Sequence, residues 1–409
     1  MDESSRRSLI RAVTAFLVVL VVGSVAVALV GRATGPGQSA STPPPPATSS
    51  SAGPPVAATP RAWLAWVPGG LPDGFDRALS SLDVVTSTTI ATADVAWMTR
   101  ATNAKGKVVR SPTSPYLTPI DVTGVAPTFA SFLPEPERRT VASLKPGQGL
   151  LSETAARLRG IKGSGTITFD TNKTVKIVGT LPDVLMGGYE LLVTRFTGTT
   201  IGVTHDRYAL FDIRPGPSPV PVQLAAQLIP ALPADAPYPD VEVRAPGDTR
   251  YLRANDGELP LALLKRQFNE FTAYPSTTSP GMLQIEQTWV QDNIQSVQVP
   301  ILGTVTCNVR AIGPLKKAMQ LLTNSGNESA VTAVGDCYKP VFQVDGPGPP
   351  ISAQTFGAAI ELNPQSNVRG QPPQQSSKLV GAMAKAGFGW AGKDAYPQGA
   401  LFRYAKIPA

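Results

Sequence analysis

The chain has one histidine, His205, and two cysteines, Cys307 and Cys337, in 409 residues. A zinc site built on two imidazoles within one chain is therefore excluded, because only one imidazole exists. Two cysteines allow one disulfide at most, so no disulfide framework can substitute for a hydrophobic core. Charge is also sparse, at 16% Asp, Glu, Lys and Arg, and no long run of Lys or Arg occurs. The formal net charge of +7 reads as spread along the chain. Nucleic-acid binding needs a concentrated basic face with aromatic or groove-reading elements, and the sequence shows neither. A mildly basic surface suits an anionic cell wall or lipid headgroups; a solvated surface without a special partner is the plainer reading.

Apolar and turn-forming residues are plentiful. Residues 12–30 are an uncharged apolar run preceded by Arg6, Arg7 and Arg11. Nineteen residues at helical rise span about 28 Å, close to the hydrocarbon thickness of a bilayer. The arginines favour a cytoplasmic N-terminus. The run is long for a cleaved signal peptide and Gly31-Arg32-Ala33 is a poor cleavage site, so an uncleaved signal anchor is expected, with cleavage as the alternative. Either way the bulk of the chain is expected outside the cytoplasm. Residues 31–60 hold Pro43 to Pro46, Pro54, Pro55 and many Ser and Thr, with Arg32 their one charge before Pro60. Such a segment buries too little apolar surface to order itself and reads as a disordered spacer.

Residues 61–214 read as a strand-rich α+β domain beyond the membrane. A helix is expected over 72–82, with Phe75, Leu79 and Leu82 on one face, and a β-branched strand over 84–98. Residues 107–110 could pair with the end of that strand across the turn 103–106. Ser152 is an expected N-cap of a helix stopped by Gly160, and 166–169 with 174–178 make a hairpin. His205 stands beside Asp206 in what could be a catalytic dyad, but no nucleophile is placed by any motif, and a satisfied polar pair is the better reading. Residues 215–250 are proline-rich and mark an interdomain connection.

Residues 251–409 read as a second domain. A helix is expected over 259–271 and a strand over 297–301. Pro314 is placed at a helix start, followed by Leu315, Ala318, Met319 and Leu322 at helical spacing. Cys307 and Cys337, an even pair in an exported region, are expected to form one disulfide. A two-Cys metal site is the alternative, with no third soft ligand to complete it.

Two stretches carry a resemblance. They are Ser352-Ala-Gln-Thr-Phe-Gly-Ala-Ala-Ile-Glu361-Leu-Asn363, and Gly387-Phe-Gly-Trp-Ala-Gly392 continuing to Pro397-Gln-Gly-Ala-Leu401-Phe-Arg-Tyr404. Their spacing resembles the VanY-like, D-alanyl-D-alanine carboxypeptidase-type zinc peptidases. That family has Ser-x-His-x-x-Gly-x-Ala-x-Asp, then Gly-Phe-x-Trp-Gly-Gly, then Asp-x-Met-His-Phe. Cys337-Tyr-Lys-Pro340 is similar to its Cys-Tyr-x-Pro-Arg, with Val341 where the Arg stands. The resemblance implies zinc ligands at 354, 361 and 401 and a general base at 398. Here those positions are Gln354, Glu361, Leu401 and Gln398. An amide is a poor zinc ligand, Leu offers none, and Gln cannot take a proton from water. No cofactor is therefore expected, zinc included, and no catalytic residue. Ser352, Tyr338, Trp390 and Tyr404 are expected to line a binding pocket. Separately, residues about 120–180, with Val125-Ala-Pro-Thr-Phe, Gly149-Leu-Leu-Ser-Glu-Thr-Ala-Ala156 and Val175-Lys-Ile-Val-Gly179, resemble the extracytoplasmic domain of MacB- or FtsX-type permeases. That implies a protein-contact module on the outer face of the membrane.

The expected fold class is thus α+β. Its parts are a cytoplasmic tail (1–11), one transmembrane helix (12–30), the linker (31–60), the strand-rich domain, the connection, and a small α+β peptidase-like domain with a central antiparallel sheet. The leading expectation is a membrane-anchored, catalytically inactive envelope protein that binds peptidoglycan stem peptide or an envelope protein. One alternative is an active zinc peptidase using Glu361 with Asp345 or Asp394. Another is a structural partner of a transporter or division complex.

Overall fold

The computed structural model describes residues 62–216, 220–236, 240–248, 259–342, 350–394 and 396–404. They belong to one compact unit, Val56–Ala409. The expected anchor (12–30) and linker (31–60) lie outside the described residues. Among the described residues no helix is long and apolar enough to cross a membrane.

Ten strands make the principal sheet. In chain order they are β1 (Trp63–Trp66), β2 (Val85–Asn103), β3 (Val108–Arg110), β4 (Thr118–Val125), β5 (Gln148–Ser152), β6 (Gly165–Phe169), β7 (Thr174–Leu181), β8 (Leu191–Thr194), β9 (Asp206–Ile213) and β10 (Glu242–Arg244). β2 is dense in Thr, Val and Ile, whose branched Cβ atoms favour extended backbone. Its length lets it serve two structures. On one edge it pairs with β4 through Thr92–Met98; on the other it pairs with β9 before residue 92 and with β6 after Met98. β4 continues to β8, β8 to β5, β5 to β7 and β7 back to β6. The six strands β2, β4, β8, β5, β7 and β6 therefore close into a ring. The β4–β8 and β5–β7 pairs are parallel. Closure removes free strand edges, and Met98, Ile120, Val122, Ile167, Phe169, Val175, Ile177 and Val193 fill the ring as one apolar cluster.

β9, β1 and β10 extend from the other half of β2, and their side chains alternate between faces as strand geometry requires. Trp63, Ala65, Ala209 and Phe211 pack beneath the helices Phe75–Ser80 and Pro221–Leu228. Leu64, Trp66, Tyr208 and Leu210 face the other cluster. The proline-rich segment therefore contributes a helix and an edge strand, with Val243 opposite Ala65.

The C-terminal part corrects the expected fold class. Among the described residues it has no central antiparallel sheet; its strands there form three small ones. Two are hairpins, β11 (Ala273–Pro275) with β12 (Leu283–Ile285) and β13 (Ile294–Val299) with β14 (Gly303–Asn308). The third orders β15 (Ala359–Glu361), β16 (Gly389–Trp390) and β17 (Leu401–Arg403) with β17 in the middle. Strands of two to six residues cannot hold a core alone. Helices Val309–Asn324 and Ser377–Lys385 supply it through Leu315, Met319, Leu322, Leu379 and Met383. The result is a sheet-rich mixed fold built around the ten-stranded sheet. Pro314 does not start its helix. Asn308 caps the helix by accepting from the Arg310 amide at 3.0 Å, and Pro314 lies inside it. The disulfide Cys307–Cys337 is present and ties the end of β14 to the segment before Tyr338.

The helix Leu261–Phe268 docks this part against the ring through charges rather than grease alone. Arg159 donates to Glu190 at 2.6 Å and to Glu270 at 3.1 Å. Lys265 reaches Glu190 at 2.8 Å and Glu270 at 3.2 Å, and it also donates to the Pro119 carbonyl. The Asp121 amide donates to Glu190 at 3.1 Å. Arg159, Glu190 and Lys265 have fully buried side chains. Two cations face two anions, so desolvated charge is compensated locally.

Candidate functional site

The first resembling stretch folds as a capped turn followed by a strand. Ser352 caps the 3₁₀ turn Ala353–Phe356, its hydroxyl accepting from the Gln354 amide at 3.2 Å. Gly357 ends the turn at φ 62°, a left-handed conformation that favours glycine. β15 follows and pairs with β17 so that Glu361 lies directly opposite Leu401 and Ile360 opposite Phe402. Gln398 makes the turn into β17: its amide donates to the Ala391 carbonyl and its own carbonyl accepts from the Leu401 amide, both at 3.0 Å.

These four positions share one cleft. A depression of about 530 Å³ is lined by Ser352, Gln354, Glu361, Gln398 and Leu401 together with residues from four further segments. Its lining includes apolar Leu259, Met282, Val341, Phe342 and Ile351, and polar or charged Lys339, Asn367, Arg369 and Arg403. The Asp336 carbonyl joins the turn and the strand of the site, accepting from the Gln354 side chain at 2.9 Å and from the Glu361 amide at 3.3 Å. Phe342 rests edge-on against Trp97 of β2, with ring centroids 6.3 Å apart, so the ring supports the apolar lining.

The donor set does not fit zinc. The Gln354 amide is turned to the Asp336 carbonyl, and Leu401 belongs to an apolar cluster at 7% exposure. Glu361 is the one anionic side chain among the four positions. Among the described residues no group of three His, Cys, Asp or Glu is placed to hold a metal ion. Asp394 is taken by Arg403 at 2.7 Å, and Asp345 lies outside the described residues. Burial pushes the Glu361 carboxyl above the ordinary range, with Asp336 adding to the effect while Lys339 and Arg369 oppose it. Burial likewise raises Asp394 against the pull of Arg403.

Of the four expected binding residues, Ser352 lines the cleft. Tyr338 packs beside the apolar cluster behind it, and burial pushes its phenol up to about 12. Trp390 donates its indole N–H to the Gly399 carbonyl at 2.8 Å. Tyr404 packs between Phe268 and Phe388, with centroids at 6.5 and 5.1 Å. Arg369, Lys339 and Arg403 were not singled out in the sequence, because isolated cations carry no periodicity or motif.

His205 pairs with an unexpected partner. Its Nδ1 lies 2.7 Å from Asp94 Oδ1, and Asp94 Oδ2 accepts from the Thr204 and His205 amides. Asp206 is held by Arg195 at 2.6 Å. Asp94 thus fastens the loop entering β9 to β2, a structural task.

No known protein family matches the chain, and no curated protein sequence does. In three dimensions it is similar to the periplasmic region of MacB from Actinobacillus actinomycetemcomitans. That match has a TM-score of 0.30 and 13% identity, over 45% of this chain and 88% of that one. A domain of a permease protein from Porphyromonas gingivalis matches with a TM-score of 0.27 and 16% identity, over 44% and 86%. The extracellular domain of the noncanonic ABC-type transporter YknZ from Gram-positive bacteria matches with a TM-score of 0.28 and 14% identity, over 42% and 91%. Such domains are the kind that residues about 120–180 resemble in sequence. The likeness spans less than half of this chain and carries no argument about function. The peptidase resemblance finds no support among these proteins.

Proposed function

We propose that this chain is a non-catalytic envelope protein, acting outside the cytoplasm, whose C-terminal cleft binds the end of a peptide. One observation carries the reading. Gln354, Glu361, Gln398 and Leu401 converge on a single cleft, and three of the four can neither hold zinc nor accept a proton. Its apolar lining residues suit a small aliphatic side chain. Its amides and cations suit a peptide backbone and its carboxylate. The Cys307–Cys337 disulfide supports an oxidising compartment, where such bonds persist. In that compartment a peptidoglycan stem peptide is the first ligand to test.

The test is calorimetric titration of the full-length chain with a muramyl pentapeptide ending in D-Ala-D-Ala, and with the same peptide amidated at its C-terminus. Saturable binding of the free acid, weaker for the amide and weaker in Arg369→Ala, supports the reading. Absence of saturation with either peptide overturns it and leaves the cleft to an envelope protein partner.

A further inference from the structure

A second surface lies on the ring. Segments 100–108 and 162–176 contain Arg100, Lys105, Lys107, Lys162, Lys173 and Lys176, all exposed, against one acid, Asp170. Far apart in sequence, they are brought together by strand pairing. Arg100 of β2 lies opposite Thr168 of β6, Thr102 opposite Thr166, and Thr166 opposite Lys176 of β7. Lys105 and Lys107 stand on the turn that follows β2, and Lys173 on the turn between β6 and β7. Threonine hydroxyls bridge the strands between the cations, Thr102 to Thr166 at 2.6 Å and Thr168 to Thr174 at 3.0 Å. None of the six cations forms an ion pair among the described residues, whereas Arg139, Arg157 and Arg195 elsewhere on the surface do. These two segments thus carry six cations against one acid, a local net charge of +5.

We infer that this face of the ring docks the protein on an anionic lipid surface. The outer wall of a closed strand ring is convex. A polyanion chain is normally held in a groove that tracks its backbone, which a convex wall lacks. A bilayer is itself a broad sheet of charge, and lysines held near it gain from its potential without inserting. The inference is independent of the cleft and of its ligand.

The experiment is sedimentation of the full-length chain with vesicles of phosphatidylcholine, with or without 30% phosphatidylglycerol, at low and high salt. The readout is the ratio of anionic to neutral partition, so any binding common to both vesicles cancels. A ratio of about tenfold or more at low salt, collapsing at high salt, is expected. The Lys162→Gln/Lys173→Gln/Lys176→Gln variant should bring the ratio close to one. A matched variant, Lys316→Gln/Lys317→Gln/Lys378→Gln, should keep it. Circular dichroism confirms that both are folded; if the first is not, Lys176→Gln alone is expected to lower the ratio measurably. A wild-type ratio near one overturns the inference. So does an equal fall in both variants, which would report net charge, and so does capture by polyphosphate beads without vesicle binding.

Discussion

Glu361 shows how a single side chain can be kept at a cost. Its carboxyl is partly withdrawn from water, and burial raises its proton affinity above that of an ordinary glutamate. A raised carboxyl favours the folded state most below the unfolded value, about 4.3, and loses that contribution as pH rises through the folded value. At pH 7 the ionised group is thus a burden. Glu361→Gln is expected to melt at or above the wild-type temperature at pH 7, with the difference gone at pH 4; calorimetric scans at both pH values decide. A lower melting temperature at pH 7 would mean that Lys339 and Arg369 outweigh burial.

Glu270 behaves in the opposite sense. Burial alone would raise it, but Arg159, Lys265 and Arg110 together hold it below the ordinary range. Its contribution is present above about pH 4.3 and fades as pH falls below that. Lys265→Met leaves Glu190 with Arg159, and Glu270 with Arg159 and the more distant Arg110 at 3.7 Å. The expected loss is about 3–5 kcal/mol at pH 7, read from urea midpoints, and it should shrink as pH falls and Glu270 is protonated. A loss that does not vary with pH would assign the effect to packing.

Among the elements, the turn Ala353–Phe356 is closely specified at its end. A Cβ on Gly357 would sit 2.6 Å from the Asn308 amide nitrogen and 3.1 Å from the Cys307 carbonyl carbon, with φ already at +62°. Gly357→Ala combines a clash with backbone and a left-handed conformation, so a loss of roughly 2 kcal/mol or more is expected. The disulfide acts on the same element from the other side, because Cys337 precedes Tyr338 and Lys339, whose amides bond to the Thr306 and Gln354 carbonyls. Cys307→Ser should destabilise by about 3–4 kcal/mol in the chain-entropy view. It should also weaken peptide binding, since Lys339 and Val341 line the cleft. Both effects are checked in one series of melts and titrations; unchanged binding would free the cleft wall from the disulfide.

Local elements were the legible ones. Ser152 and Gly160 bound their helix as caps, the Ser152 hydroxyl accepting from the Ala155 amide, because capping chemistry is written in neighbouring residues. The hairpin β6–β7 was equally visible. Pro314 misled, since a proline usually marks a first turn, whereas the Asn308 cap a turn and a half earlier set the start.

At the scale of the whole molecule, closure of the ring was not legible. It depends on β2 using both edges and on two parallel pairings, each joining strands distant in sequence. The ion network was hidden for the same reason: Arg159, Glu190, Lys265 and Glu270 share no motif, and only the fold brings them within reach. The spacing of Gln354, Glu361, Gln398 and Leu401 did place them together, on β15, β17 and the turns beside them. What it did not reveal was that Lys339, Arg369 and Arg403 line the same cleft.

The most direct test of the cleft is to measure bound zinc and D-Ala release on muramyl pentapeptide for the full-length chain, beside the Gln354→His/Gln398→Asp/Leu401→His variant. Leu401 is packed, so the variant is expected to lose about 1–3 kcal/mol of stability and its fold is checked by circular dichroism. The wild type is expected to carry no stoichiometric zinc and to return the peptide intact, with zinc retained only in the variant, where three ligands surround the cleft. Stoichiometric zinc with D-Ala release by the wild type would contradict the account.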